Sequence, residues 1–302
     1  EPYKGRASRF VCPSCHKRGS FTHYIDSETG ERLNSMVGIC NREINCGYHY
    51  PPRQYFHENG ISMDQSFKVR TSPKSIVETE PSIVPEDILK SSFTKIEFAN
   101  NHFIVYLNKL FGLDLTQQLT EKYLIGNSTY WMGATVFWQV DILGRARAGK
   151  IMLYNANTGK RVKRPFNHIN WAHTIFKLDG FNLKQCFYGE HLLMDCEKPV
   201  AIVESEKTAI IASAYFPDFT WLACGSLNNL NAEICSVLKG RQVTLFPDLN
   251  CFKRWSEKAL ALRHIASFSV SDILESKASD QERQEGLDLA DYLIRFNVKD
   301  FK

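Results

Sequence analysis

Residues 200–215, with the sequence VAIVESEKTAIIASAY, decide the predicted fold because they join a strand to a helix. The apolar run Val200–Val203 is typical of a strand buried on both faces of a parallel sheet. Glu204 follows it directly, and Glu206–Tyr215 continues as a predicted helix. Strand and helix alternate again further on, with predicted strands at 219–223 and 243–246 and predicted helices at 231–238, 252–264 and 286–296. This order favours an α/β domain with a parallel sheet and right-handed crossovers.

The residues before this domain follow other patterns. Residues 87–123 place Phe103, Tyr106 and Leu107 at helical spacing, and Gly112 is predicted to end that helix. Strands are predicted at 134–141 and 150–154. We therefore predict four segments: a zinc ribbon over 1–58, a linker over 59–86, a mixed α+β basic subdomain over 87–198 and the α/β domain over 199–302.

The composition is that of a folded globular protein, and its mildly positive charge permits a nucleic-acid partner. Hydrophobic residues make up 43% of the chain, and the net charge is +4. No apolar stretch is long enough for a transmembrane helix, so we expect no membrane partner. The chain has nine cysteines, and four of them have the spacing of metal ligands. This favours a reducing, cytoplasmic location.

The cysteine spacing predicts a structural zinc site. Cys12 and Cys15 form a CxxC pair, and Cys40 and Cys46 form a second pair with five residues between them. Zinc prefers four tetrahedral thiolates, which two such pairs supply. The alternative is a redox pair, but a redox CxxC normally opens a helix in a βαβ unit, and this one does not. Basic and aromatic residues around the cysteines favour contact with nucleic acid, although the rings alternatively fill the core of the ribbon.

Acidic residues follow two of the predicted parallel strands. Glu204 follows the strand at 200–203, and Asp248 follows the strand at 243–246. The carboxyl ends of parallel strands define the ligand crevice of such sheets, and two carboxylates there can share a Mg²⁺. Asp288 and Asp291 are further acids near a predicted helix start. For Asp288 the alternative is a helix N-cap, and for Asp291 a solvated surface position.

Two segments resemble the motifs of the toprim domain, a metal-binding fold shared by DnaG-type primases, topoisomerases, RecR-type mediators and OLD-type nucleases. They are IVESEKTA at 202–209 and LFPDLN at 245–250. On this match Glu204 is the family glutamate and Asp248 the first acid of the family Asp-x-Asp pattern, whereas Asn250 stands in place of the second. The sequence DLAD at 288–291 is similar to the later acidic motif of primase toprims.

The resemblance extends over the whole chain, since a zinc ribbon, a spacer, a mixed subdomain and a toprim domain follow the DnaG-like order. The nearest likeness is to toprim proteins with zinc ribbons found on mobile elements of Bacteroidetes-like bacteria. It implies a Rossmann-like toprim sheet in an α/β multidomain protein. It also implies a primase-like nucleotidyltransferase that takes part in DNA replication, with single-stranded DNA and nucleotides as its partners. A helicase or another replication protein is expected to act in trans.

The resemblance also implies roles for individual residues. Glu204 and Asp248 would hold catalytic Mg²⁺ or Mn²⁺, Asp288 or Asp291 would assist a second ion, and Asn250 would weaken the cation site because it lacks a charge. The basic residues expected to contact triphosphate or strand phosphates are Arg145, Arg147, Lys150, Lys160, Arg161, Lys163, Arg164 and Lys207. For 160–164 a solvated loop is an equal alternative. Two other functions stay open: a catalytically silent nucleic-acid-binding module of a mobile element, and a toprim-type nuclease.

Overall fold

A computed structural model describes residues 8–26, 29–42, 46–61, 80–93, 100–194 and 196–301. The chain divides into two units, residues 1–78 and residues 79–302. Most of the linker predicted over 59–86 lies outside the described residues.

The first unit is built on a three-stranded antiparallel sheet with the order β1-β2-β3. Its elements are β1 (Phe21–His23), β2 (Gly38–Cys40), β3 (His49–Tyr50) and helix α1 (Pro52–Glu58). Its small core contains the fully buried Phe21 beside Cys12 and Cys40. Phe21 therefore serves as a core residue. So small an apolar core is typical of a module that depends on a metal for stability.

In the part of the second unit before its first sheet, the described residues form the helices α2 (Glu86–Ser91), α3 (His102–Phe111) and α4 (Leu113–Lys122). The Asn101 side chain caps α3 by accepting hydrogen bonds from the backbone N–H groups of Phe103 and Ile104. Gly112 has a φ of 78°, which a side chain would disfavour, and α3 ends just before it. Most of the described residues of 87–123 are thus helical as predicted, in separate helices with turns between them.

A four-stranded antiparallel sheet follows, with the order β4-β5-β6-β7. Its strands are β4 (Ile125–Ser128), β5 (Ala134–Val140), β6 (Ala146–Met152) and β7 (Ile169–Trp171), and the short helix α5 (Ala172–Ile175) comes next. Every residue of β5 is buried. The strand β6 begins four residues before the predicted 150–154, because it pairs with β5 along nearly its whole length.

The C-terminal half contains the predicted parallel sheet. Its strands are β8 (Val200–Val203), β9 (Thr220–Ala223), β10 (Gln242–Leu245) and β11 (Ser267–Val270), and all three pairings are parallel, with the order β11-β10-β8-β9. The edge strand β11 was not predicted, because its exposed serines, Ser267 and Ser269, lack the apolar character of the other strands. This sheet, with helices around it, makes the protein an α/β protein.

Helices follow these strands. They are α6 (Glu206–Tyr215), α7 (Ala232–Cys235), α8 (Phe252–Leu262), α9 (Ile273–Lys277), α10 (Asp280–Glu285) and α11 (Leu289–Leu293). The single helix predicted over 286–296 is wrong in its bounds. Gly286 adopts a left-handed conformation that ends α10, and Asp288 starts the shorter α11 as its N-cap.

Alternate residues of β8 enter two different hydrophobic cores. Ala201 and Val203 belong to one core, and Val200 and Ile202 belong to the other. Both faces of the parallel sheet are therefore covered, which leaves the carboxyl ends of its strands as the place where a ligand can enter.

Candidate functional site

The four cysteines of the first unit converge on one point. Their sulfur atoms all lie within 4.8 Å of one another. The Sγ atoms of Cys12 and Cys46 are 3.7 Å apart, and those of Cys15 and Cys40 are 4.0 Å apart. A tetrahedral zinc with Zn–S bonds of about 2.3 Å requires sulfurs about 3.8 Å apart. The cysteines fit a structural zinc without rearrangement, so this unit is a zinc-binding ribbon.

The surroundings of the sulfurs give Cys15 and Cys40 different pKa values, whereas a bound zinc would hold all four cysteines as thiolates. Burial raises the pKa of Cys40 to about 11, whereas a hydrogen bond from the Lys17 backbone N–H lowers the pKa of Cys15 to about 6. The Arg42 guanidinium donates to the Cys15 sulfur at 3.6 Å. Zinc holds all four groups as thiolates, and a nearby cation compensates part of their charge.

The second unit contains a cleft of about 840 Å³ at the carboxyl end of the parallel sheet. Glu204 follows β8 and Asp248 follows β10, and both line this cleft. The connections from β8 and β10 leave in opposite directions, because β8 leads to β9 on one side and β10 leads to β11 on the other. Such a switch point is where open α/β sheets bind ligands.

The environment of the two acids at the switch point disfavours their charged forms when no cation is bound. Burial raises the pKa of Asp248 well above its ordinary value, and the carboxylates of Asp288, Glu204 and Asp291 raise it further. Burial also raises the pKa of Glu204, although Lys150 and other cations oppose this effect. Within the described residues, neither carboxylate accepts a hydrogen bond. Their oxygens are the hard ligands that Mg²⁺ takes.

The acids of the cleft are not packed as tightly as the cysteines. Among the described residues, the four cysteines are the one group of three or more such side chains whose ligand atoms lie within 4.8 Å of one another. Mg²⁺ typically keeps several waters and takes only one or two carboxylates from the protein. A site with Glu204 and Asp248 as its two protein ligands would therefore not form such a group.

Asp288 and Asp291 form a capping box at the start of α11, and this box also faces the cleft. Each side chain accepts a hydrogen bond from the other residue's backbone N–H, at 2.9 Å and 3.2 Å. The Thr208 hydroxyl donates to Asp288 at 2.8 Å. The N-cap alternative for Asp288 is thus what the structure has, and Asp291 is its partner rather than a solvated surface residue.

Lys207 supplies a cation to this acidic pair. Its Nζ lies 3.6 Å from Asp288 Oδ2 and 3.4 Å from Asp291 Oδ1. Burial lowers the pKa of Lys207, but the two carboxylates outweigh this effect and raise it above its ordinary value. The ammonium group therefore stays charged, and it already neutralises part of the acidic charge at this side of the cleft.

We expect Lys207→Met to lower the free energy of unfolding by about 2 kcal/mol in buffer without divalent cations, because it leaves Asp288 and Asp291 unbalanced in a partly buried position. Mg²⁺ should then stabilise the variant more than it stabilises the parent protein, since the ion replaces the lost charge. Urea unfolding with and without Mg²⁺ measures both effects, and Lys207→Arg is the matched control. An identical Mg²⁺ response in parent and variant would contradict the charge-balance argument.

A buried ion pair in the lining of the cleft connects the antiparallel sheet to helix α6. Lys150 Nζ in β6 donates to both carboxylate oxygens of Glu206, at 3.0 Å and 3.1 Å. The Glu206 side chain is only 2% exposed. Ser205 caps α6 and so fixes Glu206 in the first turn of that helix. This pair holds the antiparallel sheet against the helix that follows β8.

Breaking this pair on one side should be costly. Lys150→Met leaves the buried Glu206 carboxylate unpaired, and we expect a loss of about 3–5 kcal/mol in the free energy of unfolding. The double variant Lys150→Met with Glu206→Leu should regain most of that loss, because it removes both charges together. Urea denaturation of the parent, both single variants and the double variant gives the coupling energy, which would be near zero if the pair were unimportant.

Several predicted binding residues lie on the cleft, and others do not. Those that line it are Lys150, Lys160, Arg161, Lys163 and Lys207. Arg145 and Arg147 instead form ion pairs with the buried Asp141 and line a separate pocket of about 300 Å³. Side chains alternate along a strand, so residues 145 and 147 face away from the side on which Lys150 points into the cleft.

Asn250 and Arg164 also stand outside the residues that line the cleft. Asn250 adopts a left-handed φ of 68°. Its backbone N–H donates to Glu275, and its amide donates to the backbone carbonyl of Arg283. These contacts give Asn250 a structural role, because they hold the β10–α8 turn against α9 and α10. Its amide oxygen is the atom that would replace a carboxylate ligand of the family motif.

Three residues that follow Glu204 hold side chains of the site in place and were not predicted as site residues. Ser205 caps α6, Glu206 pairs with Lys150, and Thr208 binds Asp288. Their one signal in the sequence was their position directly after Glu204 in the same motif. The partners of Glu206 and Thr208 lie 56 and 80 residues away, so no local pattern indicates these two contacts.

Residues 1–61 match a family model. The model describes a zinc beta-ribbon finger, and this agrees with the sulfur geometry. Residues 101–249 match a second model, a domain of unknown function named DUF6371. That match contains Glu204 and Asp248 and ends before Asn250, Asp288 and Asp291. No curated protein matches the chain.

Solved structures with some similarity include three primases. The primase fragment of the bacteriophage T7 primase-helicase protein has 12% identity and a TM-score of 0.37, over 92% of this chain and 98% of that one. The E. coli primase catalytic core has 10% identity and a TM-score of 0.41, over 69% and 81%. The RNA polymerase domain of Mycobacterium tuberculosis primase DnaG has 12% identity and a TM-score of 0.35, over 72% and 74%. All three TM-scores lie below 0.5, so nothing about activity follows from them.

Among the described residues, no helix has the length and apolar character needed to cross a membrane.

Proposed function

We propose that this chain is a primase-like nucleotidyltransferase that acts on single-stranded DNA through its zinc ribbon and a toprim-type core that binds Mg²⁺ or Mn²⁺. The observation that carries the proposal is the composition of the cleft at the switch point. Glu204 and Asp248, whose carboxylates accept no hydrogen bond from the described residues, line it together with Lys150, Lys160, Arg161, Lys163 and Lys207. Transfer of a nucleotidyl group requires both a cation site and contacts to phosphate.

A divalent cation held by Glu204 and Asp248 would neutralise phosphate charge in this reaction. Lys160, Arg161 and Lys163 project from one loop into the cleft and can bind the phosphates of a nucleotide or of a strand. The N-terminus of α6 opens into the same cleft through Ser205, and its positive end favours an anion there.

The test is the synthesis of oligoribonucleotides from ribonucleoside triphosphates on a single-stranded DNA template, with Mg²⁺ and separately with Mn²⁺. We expect dinucleotides and longer products that require both the template and the divalent cation. Binding of the template without any product would favour the silent module. Cleavage of the template under the same conditions would favour the nuclease.

A catalytically silent nucleic-acid-binding module is the second candidate, and two specific observations favour it. Asn250 makes structural contacts outside the cleft lining, and Lys207 already pairs with Asp288 and Asp291. Both features reduce the charge available for a second cation. A core with one cation site would be compatible with strand binding and with slow transfer.

A further inference from the structure

Four aromatic side chains of the second unit form a cluster that is partly exposed at its surface. This aromatic cluster consists of Tyr130, Trp131, Phe166 and His168. Tyr130 and Trp131 lie in the β4–β5 turn, and Phe166 and His168 lie just before β7. The ring centroids of Phe166 and His168 are 4.3 Å apart in a stacked arrangement, and Trp131 lies 5.1 Å from His168 and 4.6 Å from Tyr130.

The rings of the aromatic cluster differ in burial, since Trp131 packs on a hydrophobic core whereas Tyr130 and Phe166 are exposed. Trp131 packs against the core that contains Val136 and Trp138. The rings of Tyr130 and Phe166 belong to no core cluster among the described residues, and these residues are 48% and 47% exposed. A purely structural role would bury such rings more fully, because exposed aromatic surface gains little from packing.

The aromatic cluster continues directly from the basic loop of the cleft. Lys160, Arg161 and Lys163 line the cleft, and the exposed Arg164 is two residues before Phe166. The loop therefore runs from the acids of the cleft to the displayed rings. Positive charge beside exposed rings is the combination that binds single-stranded nucleic acid, since phosphates contact the cations and unpaired bases stack on the rings.

We propose that the aromatic cluster stacks unpaired nucleobases of a single strand whose phosphates contact Lys163 and Arg164. The identity of that strand as a template rests on the proposed function, but the stacking surface does not. The occupant is a single-stranded nucleic acid because the surface offers rings for bases and cations for phosphates side by side. A protein partner would use the rings without needing the basic loop.

The experiment compares two ligands of equal charge, an oligothymidylate and an abasic oligomer of the same length. Fluorescence anisotropy with the full-length chain, in buffer without added divalent cations, gives both affinities. We expect the parent protein to prefer the oligothymidylate by about tenfold, which corresponds to about 1.4 kcal/mol. The double variant Tyr130→Ala with Phe166→Ala should lose this preference and keep its affinity for the abasic strand. Thermal unfolding checks that the variant is folded.

The matched control is Phe296→Ala, which removes another exposed ring that contacts Phe301 outside the aromatic cluster. It should bind both ligands like the parent. Trp131 gives a second readout, because Trp138, Trp221 and Trp255 are fully buried. Oligothymidylate should quench the tryptophan emission of the parent, and Trp131→Phe should remove most of that quenching. Trp171 is the one other partly exposed tryptophan, and Trp171→Phe is the control, which should leave the quenching in place.

The outcomes separate this proposal from the proposed function. If the double variant keeps the preference for the oligothymidylate, or if the parent has none, the stacking surface is wrong, whether or not the protein synthesises RNA. If the preference is lost as expected while the parent makes no product on any template, the stacking surface stands and the nucleotidyltransferase is wrong.

Discussion

Replacing Cys40 with serine should destroy the fold of the first unit while leaving the second unit folded. The buried core cluster of the zinc ribbon consists of Cys12, Phe21 and Cys40, with Phe10 and Tyr48 packed against it, and this is too small to hold the module together alone. Binding of a structural zinc contributes on the order of 10 kcal/mol to such modules. A serine hydroxyl does not replace a thiolate, and the three remaining ligands should not hold the chain at neutral pH.

Metal analysis of the parent should find about one zinc per chain, and Cys40→Ser should contain almost none. Limited proteolysis should then cut within residues 8–61 of the variant and spare residues 100–301. Cys196→Ser is the matched control, because Cys196 lies in the second unit, where its sulfur contacts the Thr220 hydroxyl and is not one of the four zinc-ligand cysteines. A parent protein that folds without any bound metal would overturn the zinc assignment.

Neutralising the two acids at the switch point should abolish nucleotidyl transfer without unfolding the protein. Glu204→Gln and Asp248→Asn keep the shape of each side chain and remove its charge. If these acids hold the cation, we expect each variant to lose activity by on the order of a thousandfold, or about 4 kcal/mol in transition-state stabilisation. Isothermal titration should show weaker Mn²⁺ binding to the second unit in both variants.

Asp248→Asn carries a second expectation, which distinguishes a functional acid from a structural one. Burial and neighbouring carboxylates raise the pKa of Asp248, so its charge destabilises the folded protein when no cation is bound. The variant should therefore be at least as stable as the parent in the absence of divalent cations. Asp218→Asn, an exposed substitution outside the cleft, is the control and should change neither activity nor Mn²⁺ affinity. Full activity in Glu204→Gln would refute the proposed core.

The sequence predicted the parts of this protein that depend on local patterns. The strand Val200–Val203 and the helix Glu206–Tyr215 have the predicted bounds, since the apolar run is short and Ser205 caps the helix. The spacing of the cysteines was sufficient for the zinc site because each pair forms its own turn. Glu204 and Asp248 were found because strand ends mark the ligand edge of a parallel sheet.

The sequence did not predict what depends on distant contacts or on the face of a strand. The pairing of Lys150 with Glu206 spans 56 residues, and that of Lys207 with Asp291 spans 84. Arg147 and Lys150 lie three positions apart on one strand, yet only Lys150 reaches the cleft, because alternation places them on opposite faces. For Asn250, the resemblance to a metal-binding motif indicated its place in the sequence. Its left-handed backbone and its hydrogen bond to Arg283 could not be predicted, because Arg283 lies 33 residues away.

The charges that line the cleft have a consequence for how its ligands influence one another. The lining contains six acidic side chains and six basic ones, so the protein groups of the cleft are together formally electroneutral. A neutral cleft gives a polyanion little long-range attraction, whereas a bound divalent cation would leave an excess of two positive charges. Cation and nucleic acid should therefore bind with positive cooperativity. By thermodynamic reciprocity, each should strengthen the affinity of the other by the same factor.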